Sequence, residues 1–373
     1  MKERIAVLGA NEPLIPFYRQ AKALGYEIIG IATENGAVCK KYCDRFYPVS
    51  FADKDVVVDV CRRENVDGII SFSLESALPT AVYVAQKLGL VSNSEECLKL
   101  TQSKYAQRQA LEKAGIPVPK YFLIENKSDL KKVQCRFPVI VKPVDSGGSQ
   151  GICKVERRED LAEAYNYAIS FSRTSKAIVE EFIDGREFSV EFISYQGKHY
   201  FLQITDKVTS GVPRFVEMQH HQPAEIPESV WERIRTMVTK ALTALKIENS
   251  ASHTEIKWNS NDELFIIETG ARMGGDYISS DLVRLSTGYD FVEGAIKLAI
   301  NKFEEPNLPK RMHSGVYFYS KLAPEVGDVI KHHERWPEIV EWEYSDEPLI
   351  EVHSNADRRG YLLYQSNENK LLF

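Results

Sequence analysis

The sequence PVIVKPVDSGGSQGI, residues 138–152, contains the pattern on which the interpretation of the fold depends. An apolar run ends at Lys142, a loop of Gly, Ser and Gln follows, and ICKV then resumes a strand-like pattern. A P-loop carries its lysine after the glycines, at a helix start, whereas Lys142 precedes them. We expect a hairpin whose tip folds backbone N–H groups over phosphates while the strand lysine supplies fixed positive charge. The alternative is a flexible hairpin with an exposed lysine.

The segment VEEFIDGREF, residues 179–188, is typical of a strand, a turn and a second strand. Asp184-Gly185 marks the bend, and the alternation in EFSVEFI has the period of two that indicates a strand. The backbone groups of EEFI could read the edge of an adenine, and Glu187 could accept hydrogen bonds from ribose hydroxyls. A charged β-hairpin without a ligand is the alternative.

Two acidic residues lie on strands that we expect to pair: Glu255 in HTEIKW and Glu268 in IIETGARMGGD. Apolar neighbours on both strands indicate that each carboxylate points into a cleft, where cations are its natural compensation. Two carboxylates bridged to substrate phosphates form a common magnesium arrangement. Alternatively, each carboxylate pairs with Lys257 or Arg272.

The N-terminal third alternates short apolar strands with helical stretches. RIAVLGA and YEIIGIAT read as strands on either side of a helix, which predicts a parallel sheet covered by helices. The first turn contains only Gly9, so the three-glycine dinucleotide fingerprint is missing. A helix in SKYAQRQALEKAGIPVPKY ends at Gly115, and an α+β region begins at Tyr121. After Pro309 the pattern is mostly short strands.

Composition excludes several classes of protein. The 373 residues predict two or three domains, and a net charge of -6 argues against a broad nucleic-acid footprint or a basic membrane-binding face. We find neither a signal-peptide core nor an apolar run long enough to span a membrane. The six cysteines form no Cys-x-x-Cys pair, so we expect reduced thiols in a cytoplasmic protein. A zinc site at Cys39 and Cys43 is the alternative.

Taken in order, the lysine in SKYAQR, the strand lysine with its glycine-rich loop, EEFIDGREF, the two glutamates and ARMGG resemble the ATP-grasp superfamily. HTEIK followed by IETGARMGG, with EMQHHQPAE upstream, is most similar to the L-amino-acid ligases that form dipeptides. The resemblance implies an α/β and α+β ATP-grasp fold. Its implied parts are an N-terminal Rossmann-like domain (1–105), a small lid (106–185), a large subdomain with the metal site (186–310) and a C-terminal β-rich extension (311–373).

The resemblance also implies roles for particular residues. Glu255 and Glu268 would ligate Mg²⁺, with Mn²⁺ as an alternative ion, and Arg272 would stabilise the transferring phosphoryl group. His220 would orient the amine or the acyl phosphate; the alternative is a solvated histidine in a polar loop beside His221. The implied ATP-binding residues are Lys104, Lys142, Ser146, Gly147, Gly148, Ser149, Gln150, Glu180, Glu181, Phe182, Ile183 and Glu187.

One position departs from the pattern of the superfamily. Many ATP-grasp enzymes have Glu-x-Asn at the second metal position, whereas this chain has Glu268-Thr269-Gly270. Glycine has no side chain that could ligate a metal, and strand alternation points Thr269 away from Glu268. We therefore expect fewer protein ligands for a second ion.

The implied activity is an ATP-dependent carboxylate–amine ligase that forms an acyl phosphate, uses an amino acid as one substrate and releases ADP and phosphate. Its partners would be a small-molecule carboxylate and an amine, without nucleic acid or membrane, and a homo-oligomer is compatible with the sequence. One alternative is another ligase or carboxylase on this scaffold, of the purine-biosynthesis or carboxyphosphate type. The other is a protein that binds ATP without catalysis.

Overall fold

The computed structural model describes residues 2–148, 150–212 and 215–373. Across these residues the chain forms three sheets, two of four strands and one of eight. Within the same residues, no helix combines the length and the apolarity that crossing a bilayer requires.

The N-terminal sheet is parallel, as the alternating pattern predicts. Its strand order is β3-β2-β1-β4. On β1, Ile5 and Val7 face one hydrophobic core, whereas Ala6 and Leu8 face another, so both faces of the strand are buried. The strands and helices are β1 (Arg4–Leu8), α1 (Ile15–Ala23), β2 (Glu27–Ile31), β3 (Arg45–Tyr47), α2 (Lys54–Glu64), β4 (Gly68–Ile70), α3 (Leu78–Leu88) and α4 (Glu95–Thr101).

The second sheet contains the stretch quoted first. It is antiparallel, in the order β5-β8-β6-β7, and a helix covers one face. Val139 and Val141 face the same core as Leu161 and Tyr165 of that helix. The elements are α5 (Lys104–Lys113), β5 (Tyr121–Ile124), β6 (Val139–Pro143), β7 (Cys153–Val155), α6 (Leu161–Ile169) and β8 (Ala177–Glu181). The glycine-rich loop therefore joins two paired strands, β6 and β7.

The third sheet has eight strands in the order β13-β12-β9-β10-β11-β14-β16-β15. The C-terminal strands continue this large sheet, because β14 pairs with β11. Its elements are β9 (Arg186–Tyr195), β10 (Lys198–Thr209), β11 (Glu217–Gln222), α7 (Glu228–Ala244), β12 (Ser250–Trp258), β13 (Leu264–Gly270), a π-helix (Ile278–Leu282), α8 (Val283–Thr287), α9 (Phe291–Ala299), β14 (His313–Tyr319), α10 (Glu325–Lys331), β15 (Ile339–Tyr344) and β16 (Gly360–Ser366).

Two helices bury the two faces of the large sheet. Ile234 and Val238 of α7 share a core with Phe188 and Val190 of β9. Phe291 of α9 belongs to the core that also contains residues of α1, β1 and β9. Helix α9 thus joins the N-terminal sheet to the large sheet. Short 3-10 turns complete the connections at Glu12–Leu14, Val38–Tyr42, Glu75–Ala77, Lys127–Lys132, Arg158–Asp160, His333–Arg335 and Asn355–Asp357.

All six cysteines are free thiols in the structure. Cys39, Cys61 and Cys97 are buried free thiols, and burial raises the pKa of each to about 12. The zinc alternative for Cys39 and Cys43 has no support among the described residues. The one group there of three or more His, Cys, Asp or Glu side chains close enough to share an ion does not include them.

Candidate active site

Lys104 connects the glycine-rich hairpin to the large sheet. It is the first residue of α5, which Ser103 caps by accepting a hydrogen bond from the Ala106 N–H at 3.3 Å. The buried Lys104 Nζ donates to the Ser146 carbonyl at 2.6 Å and lies 2.9 Å from Glu268 Oε1. Burial alone would lower the pKa of Lys104, but Glu268 and Glu75 outweigh that effect and the pKa is raised.

Lys142 is held by a buried triad of charges. Its Nζ lies 2.6 Å from Glu180 Oε2, and Arg108 Nε lies 2.6 Å from Glu180 Oε1. Burial would raise the pKa of Glu180, but Arg108 and Lys142 lower it to about 2. Burial lowers the pKa of Lys142, and Glu180 only partly offsets this. The Glu180 side chain therefore positions Lys142, a role that the sequence pattern did not suggest.

The hairpin tip contains glycines in the left-handed conformation and a serine held by a hydrogen bond. Gly148 and Gly151 have φ values of 65° and 71°, in the region that glycine adopts without strain. A Cβ at Gly147 would lie 3.2 Å from Glu75 Oε2, so the loop approaches the first domain closely. Gln150 is exposed, whereas Ser146 is half-buried and donates through Oγ to the Phe171 carbonyl. Ser149 lies outside the described residues.

The predicted adenine-binding segment follows β8. The Glu181 N–H donates to the Lys120 carbonyl at 2.8 Å and the Phe182 N–H to the Pro138 carbonyl at 3.3 Å. Because the Glu181 N–H is already used in this way, an adenine bound beside Glu181 would contact the Glu181 carbonyl instead. Lys154 Nζ lies 4.4 Å from the Phe182 ring centre, and Ile183 is half-buried in the turn that follows.

Glu255 and Glu268 are direct partners across β12 and β13. Their cations differ from the predicted alternatives: Glu268 pairs with Lys104, and Glu255 with Lys207 Nζ at 2.8 Å. Lys257 instead lies 3.3 Å from Glu187. Two adjacent carboxylates with partial solvent access are a donor set that suits one Mg²⁺.

Sequence reasoning missed Lys207. Its buried Nζ lies 3.1 Å from Glu187, 3.0 Å from Glu217 and 2.8 Å from Glu255. Burial would lower the pKa of Lys207, but the three carboxylates raise it well above its usual value. The lysine stands in TDKVT without glycines or a recognisable motif, so only strand pairing brings it to the site.

His220 and His221 lie on β11 and are buried, so the alternative of a solvated polar loop is wrong. His220 Nε2 lies 3.3 Å from Glu217 Oε2, and neither ring nitrogen has a hydrogen-bond partner among the described residues. His221 faces Tyr364, with 3.0 Å between Nδ1 and the hydroxyl oxygen, and burial lowers its pKa to about 2. Of the two, His220 is the one beside a carboxylate of the site.

Arg272 folds over the position where an asparagine would have been expected. A Cβ at Gly270 would meet the Arg272 side chain at 3.4 Å, and Arg272 Nη2 lies 3.6 Å from Glu75 Oε2. The Thr269 hydroxyl instead faces Thr254 at 3.3 Å, as strand alternation predicts. Gly270 therefore supplies no ligand for a second metal ion, and the Arg272 side chain lies at ordinary contact distance from the point where a side chain would begin.

A buried network supports Glu255 from behind. His253 Nδ1 lies 2.6 Å from Glu191 Oε1, and His253 Nε2 lies 3.7 Å from Glu255 Oε1. Although burial favours the neutral ring, Glu191 raises the pKa of His253 to about 9. Ser279 Oγ donates to Glu191 and accepts from the Gly274 N–H, each at 2.7 Å. The network fixes strand β12 against the ARMGG turn.

Comparison with known proteins accounts for this arrangement. Residues 135–281 match a family model described as the ATP-grasp domain. The chain is 27% identical over 280 residues to the uncharacterized protein y4rH of Sinorhizobium fredii, covering 70% of this chain and 54% of that protein. It is 30% identical over 224 residues to the D-alanine--D-alanine ligase of Enterococcus hirae, covering 54% of this chain and 61% of that enzyme. The chain thus spans less than two thirds of both curated relatives.

Solved structures share the fold over nearly the whole chain. The L-amino acid ligase from Bacillus licheniformis superposes with a TM-score of 0.81 at 23% identity, covering 98% of this chain and 94% of that one. Phosphoribosylglycinamide synthetase from Anaerococcus prevotii gives 0.76 at 22% identity, covering 98% and 95%. The domain match means that residues 135–281 of the chain contain an ATP-grasp domain, and the solved structures show the same overall fold.

Proposed function

We propose that this protein is an ATP-dependent ligase that joins a carboxylate to an amine through an acyl phosphate, with an amino acid as one substrate. The observation that carries the proposal is a continuous network of charges. Lys104 connects the hairpin to Glu268, Glu268 faces Glu255, and Glu255 contacts Lys207. Such a network suits a triphosphate and a divalent ion held at one cleft.

The chemistry explains why cations are needed and a nucleophilic side chain is not. A carboxylate does not react with an amine in water because its leaving group would be oxide. Transfer of the γ-phosphoryl group of ATP to the carboxylate makes phosphate the leaving group. Positioning and charge stabilisation then account for most of the catalysis.

Each cation has a place in this scheme. Lys104 and Lys142 would bind the α- and β-phosphates, with the hairpin from Ser146 to Gln150 closing over the β- and γ-phosphates. Arg272 would stabilise the transferring phosphoryl group. Lys207 stands between Glu187 and Glu255, and so would lie between the ribose and the phosphates. Glu255 and Glu268 would hold one Mg²⁺, which neutralises phosphate charge when bound.

The adenosine half would lie along the segment after β8. We propose that the backbone of Glu181 and Ile183 meets adenine, that Phe182 belongs to the same linker, and that Glu187 accepts from ribose. His220 would accept a hydrogen bond from the attacking amine, because its ring nitrogens have no partner among the described residues. Closure of the glycine-rich hairpin would exclude water and protect the acyl phosphate from hydrolysis.

The location that we propose is the cytoplasm, where ATP and Mg²⁺ are abundant and the buried thiols would stay reduced. We further propose that the four sequence segments 1–105, 106–185, 186–310 and 311–373 act as first domain, lid, large subdomain and extension. The lid and the large subdomain would move relative to each other as the hairpin closes.

Product analysis tests the proposal. The protein is incubated with ATP, Mg²⁺ and a mixture of the common amino acids, and new amide masses are sought together with ADP. Bicarbonate and ribonucleotide amines in parallel incubations test the carboxylase and purine-type alternatives. ADP and a new amide support the ligase. Absence of ATP turnover with every acceptor would refute it in favour of a protein that binds ATP without catalysis.

A further inference from the structure

A solvent-accessible ion pair lies beside the proposed reaction centre. Arg358 Nη2 donates to Asp276 Oδ1 at 2.6 Å, and Arg358 Nη1 lies 3.3 Å from Asp276 Oδ2. The side chains of Arg358 and Asp276 are 14% and 22% exposed, so both keep some contact with solvent. Asp276 ends the segment IIETGARMGGD, whereas Arg358 belongs to no motif that the sequence pattern singled out.

The pair is connected to the reacting groups by short contacts. Asn355 Nδ2 donates to Asp276 Oδ2 at 2.9 Å and lies 3.3 Å from Glu217 Oε2. Glu217 also contacts Lys207 Nζ at 3.0 Å, and the same Nζ contacts Glu255. Along these contacts, the ion pair is separated from Glu255, a proposed metal ligand, by three side chains.

Both members of the pair are held in place by their surroundings. The Arg358 guanidinium lies 3.8 Å from the Phe318 ring centre, a cation–π contact that fixes its plane. Asp276 and Tyr277 have φ values of 47° and 66°, a left-handed conformation that is costly for residues other than glycine. The turn directs Asp276 towards the segment that carries Asn355 and Arg358. The charges are thus fixed before any ligand arrives.

The balance of charge indicates what kind of ligand fits. Burial raises the pKa of Asp276 in spite of Arg358, so the negative charge of Asp276 depends on a neighbouring cation. A purely anionic ligand on Arg358 would leave Asp276 without a cation, and a purely cationic ligand on Asp276 would leave Arg358 without an anion. A ligand with an ammonium and a carboxylate a few bonds apart replaces both partners at once.

We propose that Asp276 and Arg358 form the subsite for a zwitterionic acceptor, an amino acid whose carboxylate binds Arg358 and whose ammonium binds Asp276 and Glu217. This rests on the proposed function in one respect, namely that the bound ammonium passes a proton to His220 and the resulting amine attacks the acyl phosphate, releasing phosphate. The neighbouring Glu217–His220 pair places a nitrogen base 3.3 Å from the carboxylate that would hold the amine. Acceptor choice is then set by the C-terminal extension and the turn after ARMGG.

The test measures binding separately from turnover. Saturation-transfer NMR, with Mg²⁺ and a non-hydrolysable ATP analogue, compares each common amino acid with its α-carboxamide and its N-acetyl derivative. We expect loss of either charge to weaken binding about 10-fold to 100-fold, the effect of losing one charge-assisted hydrogen-bonded pair.

Variants assign the preference to particular residues. Arg358→Gln should abolish the preference for carboxylate over carboxamide, and Asp276→Asn the preference for a free over an acetylated amine. Arg358→Lys, which keeps the charge without the planar fork, should retain part of the carboxylate preference. Arg359→Gln is the matched control, because Arg359 pairs instead with Glu347 at 3.5 Å and should keep both preferences.

Several results would overturn the subsite. One is equal binding of the amino acid and its carboxamide by the unaltered protein. Another is a preference for the carboxylate that persists in Arg358→Gln, which is expected if the carboxylate binds only at the donor position. Failure of every amino acid to bind also overturns it. Binding of Mn²⁺ alone at Glu217, His220 and Asp276 would overturn it as well. Such a metal site would be lost in Asp276→Asn and retained in Glu268→Gln. ADP formation, measured in parallel, tests the ligase activity itself. If the protein bound amino acids selectively but formed no ADP, only the proposed function would be refuted.

Discussion

Replacing Lys207 with methionine tests the charge network most directly. The substitution removes the cation that lies within 3.1 Å of three carboxylates, those of Glu187, Glu217 and Glu255. Breaking a buried ion pair by deleting one partner costs about 3–5 kcal/mol. The Lys207 side chain is 3% exposed and the carboxylates 20–28%, so solvent compensates in part. We expect a loss of about 3 kcal/mol in the free energy of unfolding.

The loss should depend on pH in a defined direction. Burial opposes ionisation, but Lys207 holds the pKa values of Glu217 and Glu255 well below the ordinary value. Their contribution is present above the unfolded-state pKa and is lost as the pH falls towards the lower folded-state values. Lys207, whose pKa is raised, contributes below its unfolded-state pKa. The difference between the two proteins should therefore be largest between about pH 6 and 9, and should shrink below about pH 4.5.

Urea unfolding at several pH values measures this difference, with the slope against urea checked for constancy. Lys257→Met is the matched control, because Lys257 contacts one of the same carboxylates, Glu187, at 3.3 Å but is 18% exposed. It should cost no more than about 1 kcal/mol. Equal stability of Lys207→Met and the unaltered protein, or a loss that does not vary with pH, would refute the reasoning.

Three further substitutions test the ligand site. Glu268→Gln should raise the Mg²⁺ concentration for half-maximal ATP turnover at least about tenfold, since a charged ligand is lost; an unchanged titration speaks against ligation. Lys142→Met should abolish turnover and weaken ATP binding about 10-fold to 100-fold, measured by calorimetry, whereas Lys176→Met, at a half-buried lysine paired with Glu125, should not; normal phosphate release would exclude the assigned role. Gly270→Asn should add a side-chain ligand beside Glu268 and raise the Mn²⁺ bound with an ATP analogue, by paramagnetic resonance, from one ion to two; two ions in the unaltered protein would contradict the single-ion site.

Much of the architecture could be predicted from local patterns. The parallel N-terminal sheet followed from alternating strands and helices, and the β6–β7 hairpin from the glycines after a strand lysine. The pairing of Glu255 with Glu268 across neighbouring strands was also expected, because a short turn-like segment separates the two strands. These features depend on residues close together in sequence, where turn chemistry and hydrophobic period determine the outcome.

The remaining features depend on contacts between distant segments. Lys207 reaches the site because β10 pairs with β9 and β11. The residues next to Lys207 in the sequence do not predict this pairing. The alternative that placed His220 in a polar loop rested on its polar neighbours, yet β11 pairs with β14 and His220 is buried. Glu180 was expected near the nucleotide, and its buried pairing with Arg108 could not be seen because 72 residues separate them.

Glu75, which follows the last strand of the N-terminal sheet, contacts residues of the proposed ATP site. Its carboxylate faces Arg272 and lies close to Gly147, so a side chain that follows β4 neutralises a cation that follows β13 and borders the glycine-rich loop. If a relative's N-terminal segment replaced that of this chain, every strand of the ATP-grasp domain would be kept. Arg272 would nevertheless lose the counter-charge of Glu75 unless the new segment carried an acidic residue at that position. Protein engineers who recombine such modules therefore have to match this one acidic position, and not the domain boundary alone.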